Sequence, residues 1–439
     1  MGGTTMIRIL VLWLCLFVLP TDSFAGGYAI PPQTAKGAGL ANAITAGVTD
    51  PSAVYTNPAA LGEVEGNQIM GGVNYINTLG RVRNDGRESH NLHDDDFVPN
   101  LFANYHIPGT DLTLGLGTYS PFGLATSYGE DSFTRFAAIR TQLKTLYVTP
   151  SISWSPLPYL SVGGGISFVH SSAALSRSIF LFAENVGEGR IRITDTNNGY
   201  GYNLGVLIKP HETVKFGWTY RSRVDLDFDS ADVKFRDAAL VGGLSTQTQA
   251  KGIHIPLPPV ISAGIHWQVN PEWGVEFVYD FTRWSEFKRL RFRFDSPLPA
   301  VGGLSPIPGF IIPEDWRDTS SLRLGSYYRI SKGLELRAGF FFDENPIPAK
   351  NLSPAVPGVG SFSVTSGLGY TWNKVTVDLG YMAVFYKTHR VSNNVLEGSN
   401  VLVTGGPVPV PAPGFPGNPG KDKYTLFQHF VSFHLKYSF

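Results

Sequence analysis

Residues 428–439 read QHFVSFHLKYSF. Val431, Phe433, Leu435, Tyr437 and Phe439 fall on one side of an extended chain, and Ser432, His434, Lys436 and Ser438 on the other, because successive side chains of a strand point to opposite faces. An apolar face, a polar face and an aromatic end fit a strand that meets lipid on one side and a lumen on the other. The alternation recurs upstream. Val375, Val377, Leu379, Tyr381, Ala383 and Phe385 oppose Thr376, Asp378, Gly380 and Met382; Val275, Phe277, Tyr279 and Phe281 oppose Glu276, Val278, Asp280 and Thr282; Val214, Phe216, Trp218 and Tyr220 oppose Lys215, Gly217, Thr219 and Arg221.

Soluble β-sandwiches alternate too, so the connections decide. Short turns are legible at 106–111, 155–159, 209–213, 269–273, 330–333 and 372–374. Long polar or Pro/Gly-rich segments lie between them, near 80–97, 123–137, 181–198, 230–250, 295–319, 347–359 and 391–425. Six short turns and seven long loops join fourteen strands, and short turns on one side with long loops on the other are the habit of outer-membrane barrels. Each strand reaches the ~9 to 11 residues that a tilted crossing needs. Some run further, such as 272–294, and are expected to project beyond the membrane.

Composition agrees. Gly 49, Tyr 19 and Phe 29 with only 16% charged residues favour strands and turns over helices. A net charge of zero offers no basic face for nucleic acid. At the N-terminus, Arg8, an apolar run from Ile9 to Leu19 and Ser23-x-Ala25 form a secretory signal over residues 1–25, with cleavage expected after Ala25. The single cysteine, Cys15, lies in that signal, so disulfides play no part. No later run is apolar enough for a spanning helix, and closed barrels are then the way to pair every backbone group in lipid. The expectation is an all-β, fourteen-stranded antiparallel barrel over 66–439. Residues 26–65 break the strand rhythm, are rich in small residues and carry an Asp50-Pro51-Ser52 helix start; they are expected to fold back as a plug, or hatch, with a periplasmic tail as the alternative.

The motifs resemble those of the FadL/TodX-type outer-membrane transporters, channels for long-chain fatty acids and aromatic hydrocarbons. The likeness is carried by GAGLANA and DPSAVYTNPAAL near the start, YSPFGLAT at 119–126, YRSRVDLDF at 220–228, LPPVISAGIHWQVNPEW at 257–273, FTRWSEF at 281–287, DENPIPAKN at 343–351 and the terminal Phe439. It implies the same fourteen strands and hatch. It also implies roles. Asn57-Pro58-Ala59 would belong to a gating hatch packed on the lumen, beside the plainer reading of a turn that launches the first strand. At Ser120, Pro121, Phe122 and Gly123 the missing Pro N–H and the permissive Gly should break the ladder; the resemblance makes this a kinked third strand through which substrate leaves sideways, against the alternative of an ordinary strand end. Arg177 and Arg317 would hold a ligand head group, since guanidinium pairs carboxylate in a bidentate way, and Gly26 as the mature N-terminus would reach the ligand pocket.

Arg221, Arg223, Arg323, Arg329, Glu335, Arg337, Asp343 and Asp378 are assigned to the lumen by alternation, mostly as ion pairs. His90, His93, Asp94, Asp95 and Asp96 offer enough nitrogen and oxygen for a divalent cation, but a solvated acidic loop is the commoner explanation and no metal site is expected. The Pro-rich 405–420 reads as extended coil. His170 and Ser172 share a strand face but lack a visible third partner, so no enzyme is expected. No cofactor motif is visible. The functional expectation is passive uptake of hydrophobic molecules by a monomer in contact with outer-membrane lipid and lipopolysaccharide, with Phe439 addressing the barrel-assembly machinery; a structural or adhesive barrel and a general porin are the alternatives.

Overall fold

A computed structural model describes residues 27–439 apart from 85, 93–94, 181–187, 237–246, 299–306, 392–401 and 404–421. Residues 1–25, where a signal segment is expected, Gly26, His93, Asp94 and the Pro-rich 405–420 lie outside the described residues. Fourteen strands form the wall, numbered in chain order: β1 Gln68–Asn84, β2 Asp95–His106, β3 Leu112–Tyr119, β4 Arg140–Leu157, β5 Leu160–Phe180, β6 Glu188–His211, β7 Val214–Arg221, β8 Val260–Gln268, β9 Trp273–Thr282, β10 Thr319–Arg329, β11 Leu334–Asp343, β12 Ser361–Trp372, β13 Val375–Tyr386 and β14 Lys423–Ser438. Each pairs antiparallel with the next, and β14 returns to β1 from Gln68↔Ser438 to Arg83↔Lys423. The barrel closes on itself, so every wall strand has a neighbour on each side. Among the described residues no helix is long and apolar enough to cross a membrane.

All six short turns fall where the sequence places them. On the outer face near that end stand Trp154, Tyr159, Trp267, Trp273, Tyr328, Tyr370, Trp372, Tyr437 and Phe439, all exposed. These rings form the girdle that amphipathic aromatics make at a membrane interface. Phe439 donates its N–H to Asn67 O at 2.9 Å and sets its ring edge-on to Tyr437, which ties the chain's end to the start of β1.

At the other end the structure departs from the sequence reading. Residues 188–198, expected as loop, continue β6, and Ala231–Arg236 pairs with β6. In this region the alternation inverts. Tyr200, Tyr202 and Leu204 of β6 point outward, whereas Ile191 and Ile193 are buried and their neighbours face water. The expected continuous strand 272–294 is also interrupted: β9 ends at Thr282, a 3-10 turn Trp284–Glu286 follows, and Arg289–Leu298 pairs with Ile307–Pro313. The physical reason is Trp284, which is 1% exposed and turns the chain inward so that its indole can pack on Tyr28.

Residues 27–66 occupy the lumen. Helix α1, Ala35–Gly39, packs on β11 to β14; helix α2, Ala53–Thr56, on β3 and β4; and the 3-10 segment Pro58–Glu63 on β3 to β6. The wall admits them through glycines set opposite one another on adjacent strands: Gly163↔Gly205, Gly217↔Gly264, Gly325↔Gly339 and Gly367↔Gly380. A Cβ on Gly163 would lie 2.5 Å from the Pro58 carbonyl carbon, one on Gly217 2.6 Å from Thr45 O, one on Gly325 2.7 Å from Leu40 O and one on Gly367 2.9 Å from the Gly39 Cα. Glycine weakens a strand by itself, so these pairs are explained by the backbone that lies on them.

Candidate functional site

The wall opens at one place. The last rung between β2 and β3 is Leu101↔Thr118. Above it, residues 95–100 pair only with β1, and Gly123–Ser127, where the third strand resumes, pairs only with β4. Higher still, Leu92 N–H donates to Ser127 O at 2.7 Å and Ser127 N–H to Asn91 Oδ1 at 3.0 Å, which rejoins the two sides. A window therefore lies between β2 and residues 120–126, bounded above and below by hydrogen bonds. Pro121 and Pro99 lack the N–H groups that would bridge it.

The N-terminal segment fills the inner side of this window. Ile30 N–H donates to Pro121 O at 2.8 Å, Gly123 N–H donates to Tyr28 O at 2.9 Å, and Ala29 and Phe122 form an isolated antiparallel bridge between those two bonds. Gln33 completes the contact: its side-chain N–H donates to Ser120 O at 3.1 Å and its Oε1 accepts Ser120 N–H at 3.0 Å. The Gln33 carbonyl in turn accepts from Asn100 and Asn74 at 2.6 and 3.3 Å. One residue thus links β1, β2 and the broken third strand.

A cavity of about 490 Å³ adjoins the window. Its lining includes the buried lumen residues Ile76, Phe341, Met382 and Phe430, the window edge Pro99, Ser120, Phe122 and Gly123, and two side chains on the outer face, Phe97 at 68% and Leu146 at 44% exposure. A second, apolar pocket of about 100 Å³ lies among the extracellular strands, lined by Tyr28, Leu143, Leu175, Ile193, Phe287 and Phe292 with Glu314. Tyr28 sits edge-on to Trp284 at 4.7 Å and beside Trp316 at 5.4 Å, and its hydroxyl donates to Pro256 O at 2.6 Å. Gly27 passes so close under these indoles that a Cβ would meet Trp316 at 2.6 Å, and its φ of +58° suits glycine alone. Burial pushes the Glu314 carboxyl up to about 8, opposed by the hydrogen bond from Trp316 Nε1 at 2.8 Å and reinforced by Asp315.

Asn57 is wholly buried. Its amide donates to Thr45 O at 2.9 Å and Val206 O at 3.3 Å, and its Oδ1 accepts Ala59 N–H at 3.2 Å, while Ala59 O accepts Ser153 Oγ–H at 2.8 Å. Asn57-Pro58-Ala59 therefore lies on β4 to β6 across the lumen from the residues that α1 touches. Arg177 is buried with its guanidinium 4.5 Å over Phe310, and its Nε has no hydrogen bond. Arg317 is exposed, and its backbone N–H donates to Pro346 O at 2.8 Å. No hydrogen bond joins the two arginines among the described residues.

The lumen charges are mostly paired. Arg323 meets Asp280 at 2.6 Å; Arg337 meets Asp378 at 2.5 Å and Glu335 at 2.8 Å; Arg329 meets Glu335 at 3.2 Å; Asp343 accepts from Ser321; and Arg221 donates to Tyr55 O at 2.8 Å. Arg223 corrects the alternation reading. It lies past the end of β7, where the chain leaves the wall, and pairs with Glu286 at 2.6 Å and Asp225. His90 meets Glu88 at 3.1 Å, and no cluster of three metal-ligating side chains occurs among the described residues. His170 Nδ1 pairs with Asn198 Oδ1 at 2.8 Å.

Gln33 and Glu314 were missed from sequence. The signals were weak: Gln33 is the first long polar side chain after Pro31-Pro32, and Glu314 follows the apolar run FIIP.

The profile of the family described as outer membrane protein transport protein (OMPP1/FadL/TodX) matches residues 16–406. A long-chain fatty acid transport protein of Escherichia coli O6:H1 is 24% identical over 419 residues, covering 87% of this chain and 91% of the relative. Outer membrane protein P1 of Haemophilus influenzae is 24% identical over 408 residues, covering 81% and 85%. Among solved structures, a Pseudomonas aeruginosa FadL homologue superposes with a TM-score of 0.80 at 19% identity, covering 94% of this chain and all of the other. The Pseudomonas putida toluene transporter TodX gives 0.71 at 17% identity, with 94% and 100% covered. With nearly the whole sequence matched and the closed barrel shared, the chain belongs to the OMPP1/FadL/TodX family of outer-membrane transport proteins and resides in the bacterial outer membrane.

Proposed function

We propose that this chain is a passive channel that admits hydrophobic molecules, long-chain fatty acids first among them, and releases them sideways through the window between β2 and the broken third strand. The observation that carries this reading is the window's closure: residues 28–33 hold it by hydrogen bonds, and among the described residues no neighbouring strand seals it. Substrate adsorbs among the extracellular elements, enters the apolar interior, and leaves when residues 26–65 shift as a hatch about Asn57-Pro58-Ala59. Arg317, exposed near the mouth, takes a carboxylate head group first; Arg177 can take it once its guanidinium swings off Phe310. Gly26 is the expected mature N-terminus, and Gly27, the first described residue, passes beneath the indoles. Ser120, Pro121, Phe122 and Gly123 form the exit rim, and Phe439 is the address read during barrel assembly.

The curated relatives are named for long-chain fatty acids and some solved neighbours for toluene, so both classes enter the test. Ala29 and Phe122 are a non-hydrogen-bonded antiparallel pair, the kind whose Cα atoms approach to roughly 4.5 Å, within disulfide reach. Ala29→Cys with Phe122→Cys, in a mature chain without other cysteines, should block uptake of labelled oleate and labelled toluene when oxidised and restore it on reduction. A structural or adhesive barrel would instead leave uptake the same in expressing and deleted cells, and a hydrophilic porin would pass small sugars in either redox state.

A further inference from the structure

The pocket of about 100 Å³ holds one group that the transport reading does not use. Glu314 is 7% exposed, and its carboxylate lines the cavity. Trp316 Nε1–H occupies Oε2 at 2.8 Å, and the Glu314 backbone N–H donates to Lys288 O. Oε1 has no hydrogen-bond partner among the described residues; besides Tyr28, the other polar side chains of an otherwise apolar lining are Thr141, Gln142 and Asp195, and Thr141 Oγ1 is buried without a partner. A buried polar atom without a partner is costly, so a site of this kind is completed by a ligand that brings one.

We propose that this pocket binds an uncharged apolar molecule carrying a hydroxyl, with Glu314 as the specificity-determining residue that takes the hydroxyl on its free oxygen. The inference rests on the reading that hydrophobic molecules enter the barrel, and it names a class among them. A hydroxyl both donates and accepts, so it pairs with Glu314 whether that group is protonated or ionised. A hydrocarbon leaves Oε1 unpaired. A carboxylate would be stripped of water beside an acid, with no cation in the lining to meet it.

The neighbouring charges bear this out. Asp315 adjoins Glu314 and pairs with Lys350 at 3.3 Å, Asp195 on the opposite wall accepts from Thr196 N–H, and the Tyr28 hydroxyl is committed to Pro256 O. The Arg177 guanidinium lies over Phe310, which stacks on Phe292 of the lining at 4.3 Å. An apolar cavity of roughly 150 Å³ accommodates benzene; this pocket, at about 100 Å³, is smaller, so it seats the hydroxyl-bearing end of a ligand whose remainder extends through the mouth. Protonated at neutral pH, Glu314 presents the ligand with an O–H; above about 8 it presents a carboxylate.

The test is calorimetric titration of the full chain in detergent at pH 6.5 and 9 with 4-methylbenzyl alcohol, p-xylene and p-toluate. The alcohol should bind at least tenfold more tightly than p-toluate at both pH values. p-Xylene should weaken severalfold from pH 6.5 to 9 as the pocket gains a charge, and the alcohol should change much less. In Glu314→Gln the pH dependence should vanish, and in Glu314→Leu the alcohol should lose its lead over p-xylene. Should Glu314→Leu fail to fold, the isosteric Glu314→Gln profile decides. p-Toluate binding within twofold of the alcohol, a pH dependence that survives in Glu314→Gln, or no binding by any of the three while cells still take up oleate or toluene would overturn the inference. Uptake of oleate and toluene that is the same in oxidised, reduced and deleted cells would instead sink the transport reading.

Discussion

Gly163→Ala isolates what the opposed glycines do. The new methyl would sit 2.5 Å from the Pro58 carbonyl carbon and 2.6 Å from the Ala59 nitrogen, both backbone atoms, where carbon contacts of ~3.5 to 4.0 Å are comfortable. The Asn57 turn must therefore retreat by about 1 Å. Overpacking of this kind costs about 1–3 kcal/mol. The retreat also loosens the Ser153–Ala59 bond at 2.8 Å and the Asn57–Val206 bond at 3.3 Å, each worth about 1 kcal/mol. Docking of the lumen segment should weaken by roughly 2–4 kcal/mol, a factor of about 30 to 1,000 in the docked population. The wall itself should be unharmed, since alanine suits an ordered backbone better than glycine by about 0.5–1 kcal/mol. Gly164→Ala is the matched control: its methyl would point to the lipid side, 3.2 Å from both the Asn203 carbonyl oxygen and the Leu204 side chain and clear of the lumen segment. Hydrogen exchange on the protein in liposomes, read at residues 44–62, should show lost protection in Gly163→Ala alone, with heat-modifiable gel mobility unchanged in both. Equal protection at 44–62 in the two variants would refute the argument that the glycines exist to admit the segment.

Pro58→Gly keeps the Asn57 side-chain bonds but frees φ, so the Asn57 turn should open more readily by about 0.5–1 kcal/mol; conductance bursts in planar bilayers should lengthen, and normal bursts with normal assembly would make the turn a mere connector. Asp280→Ala strands Arg323, which is only 6% exposed, and should cost about 3–5 kcal/mol in urea unfolding from liposomes; replacing Arg323 by Met in the same chain should recover most of it. Glu314 adds a pH signature. Its folded value of about 8 lies above the roughly 4.3 of an unfolded Glu, so the folded state holds the extra proton between them, and stability that is full below about 4.3 is lost as pH rises through about 8. Glu314→Gln should remove that decline, by on the order of a few kcal/mol at pH 9, in unfolding midpoints compared at pH 5 and 9.

The barrel was legible because lipid and lumen impose opposite demands on alternate residues, and β14 and β13 carry that contrast over their full length. The six tight turns were legible because a chain that reverses in two to five residues needs Pro, Gly or Asn at fixed places. The extracellular strands were not: above the membrane the outer face meets water, and Ile191, Ile193, Val233 and Phe235 turn inward. The contrast changes sign there, and a pattern sought in one phase reads as loop. Trp284 reads as one more strand residue because nothing local reveals that Tyr28, 256 residues earlier in the sequence, lies beneath it. The break at Pro121 was visible, since proline announces a missing donor, but its filling by residues 28–33 was not; that depends on the register of a distant segment. Glycines on the inner face could be counted, yet their pairing across strands became meaningful only with backbone resting on them.

The tie between the two ends of the chain has a consequence for the order of events. The N–H of Ala35, the first residue of α1, donates to His434 Nδ1 at 3.1 Å, and His434 Nε2 meets Asn100 at 2.6 Å. These partners are 399 and 334 residues apart, about as non-local as this chain allows, and such contacts form late. The part of the protein that is made and exported first is therefore the part that comes to rest last, because its seat is not complete until the closing strand arrives.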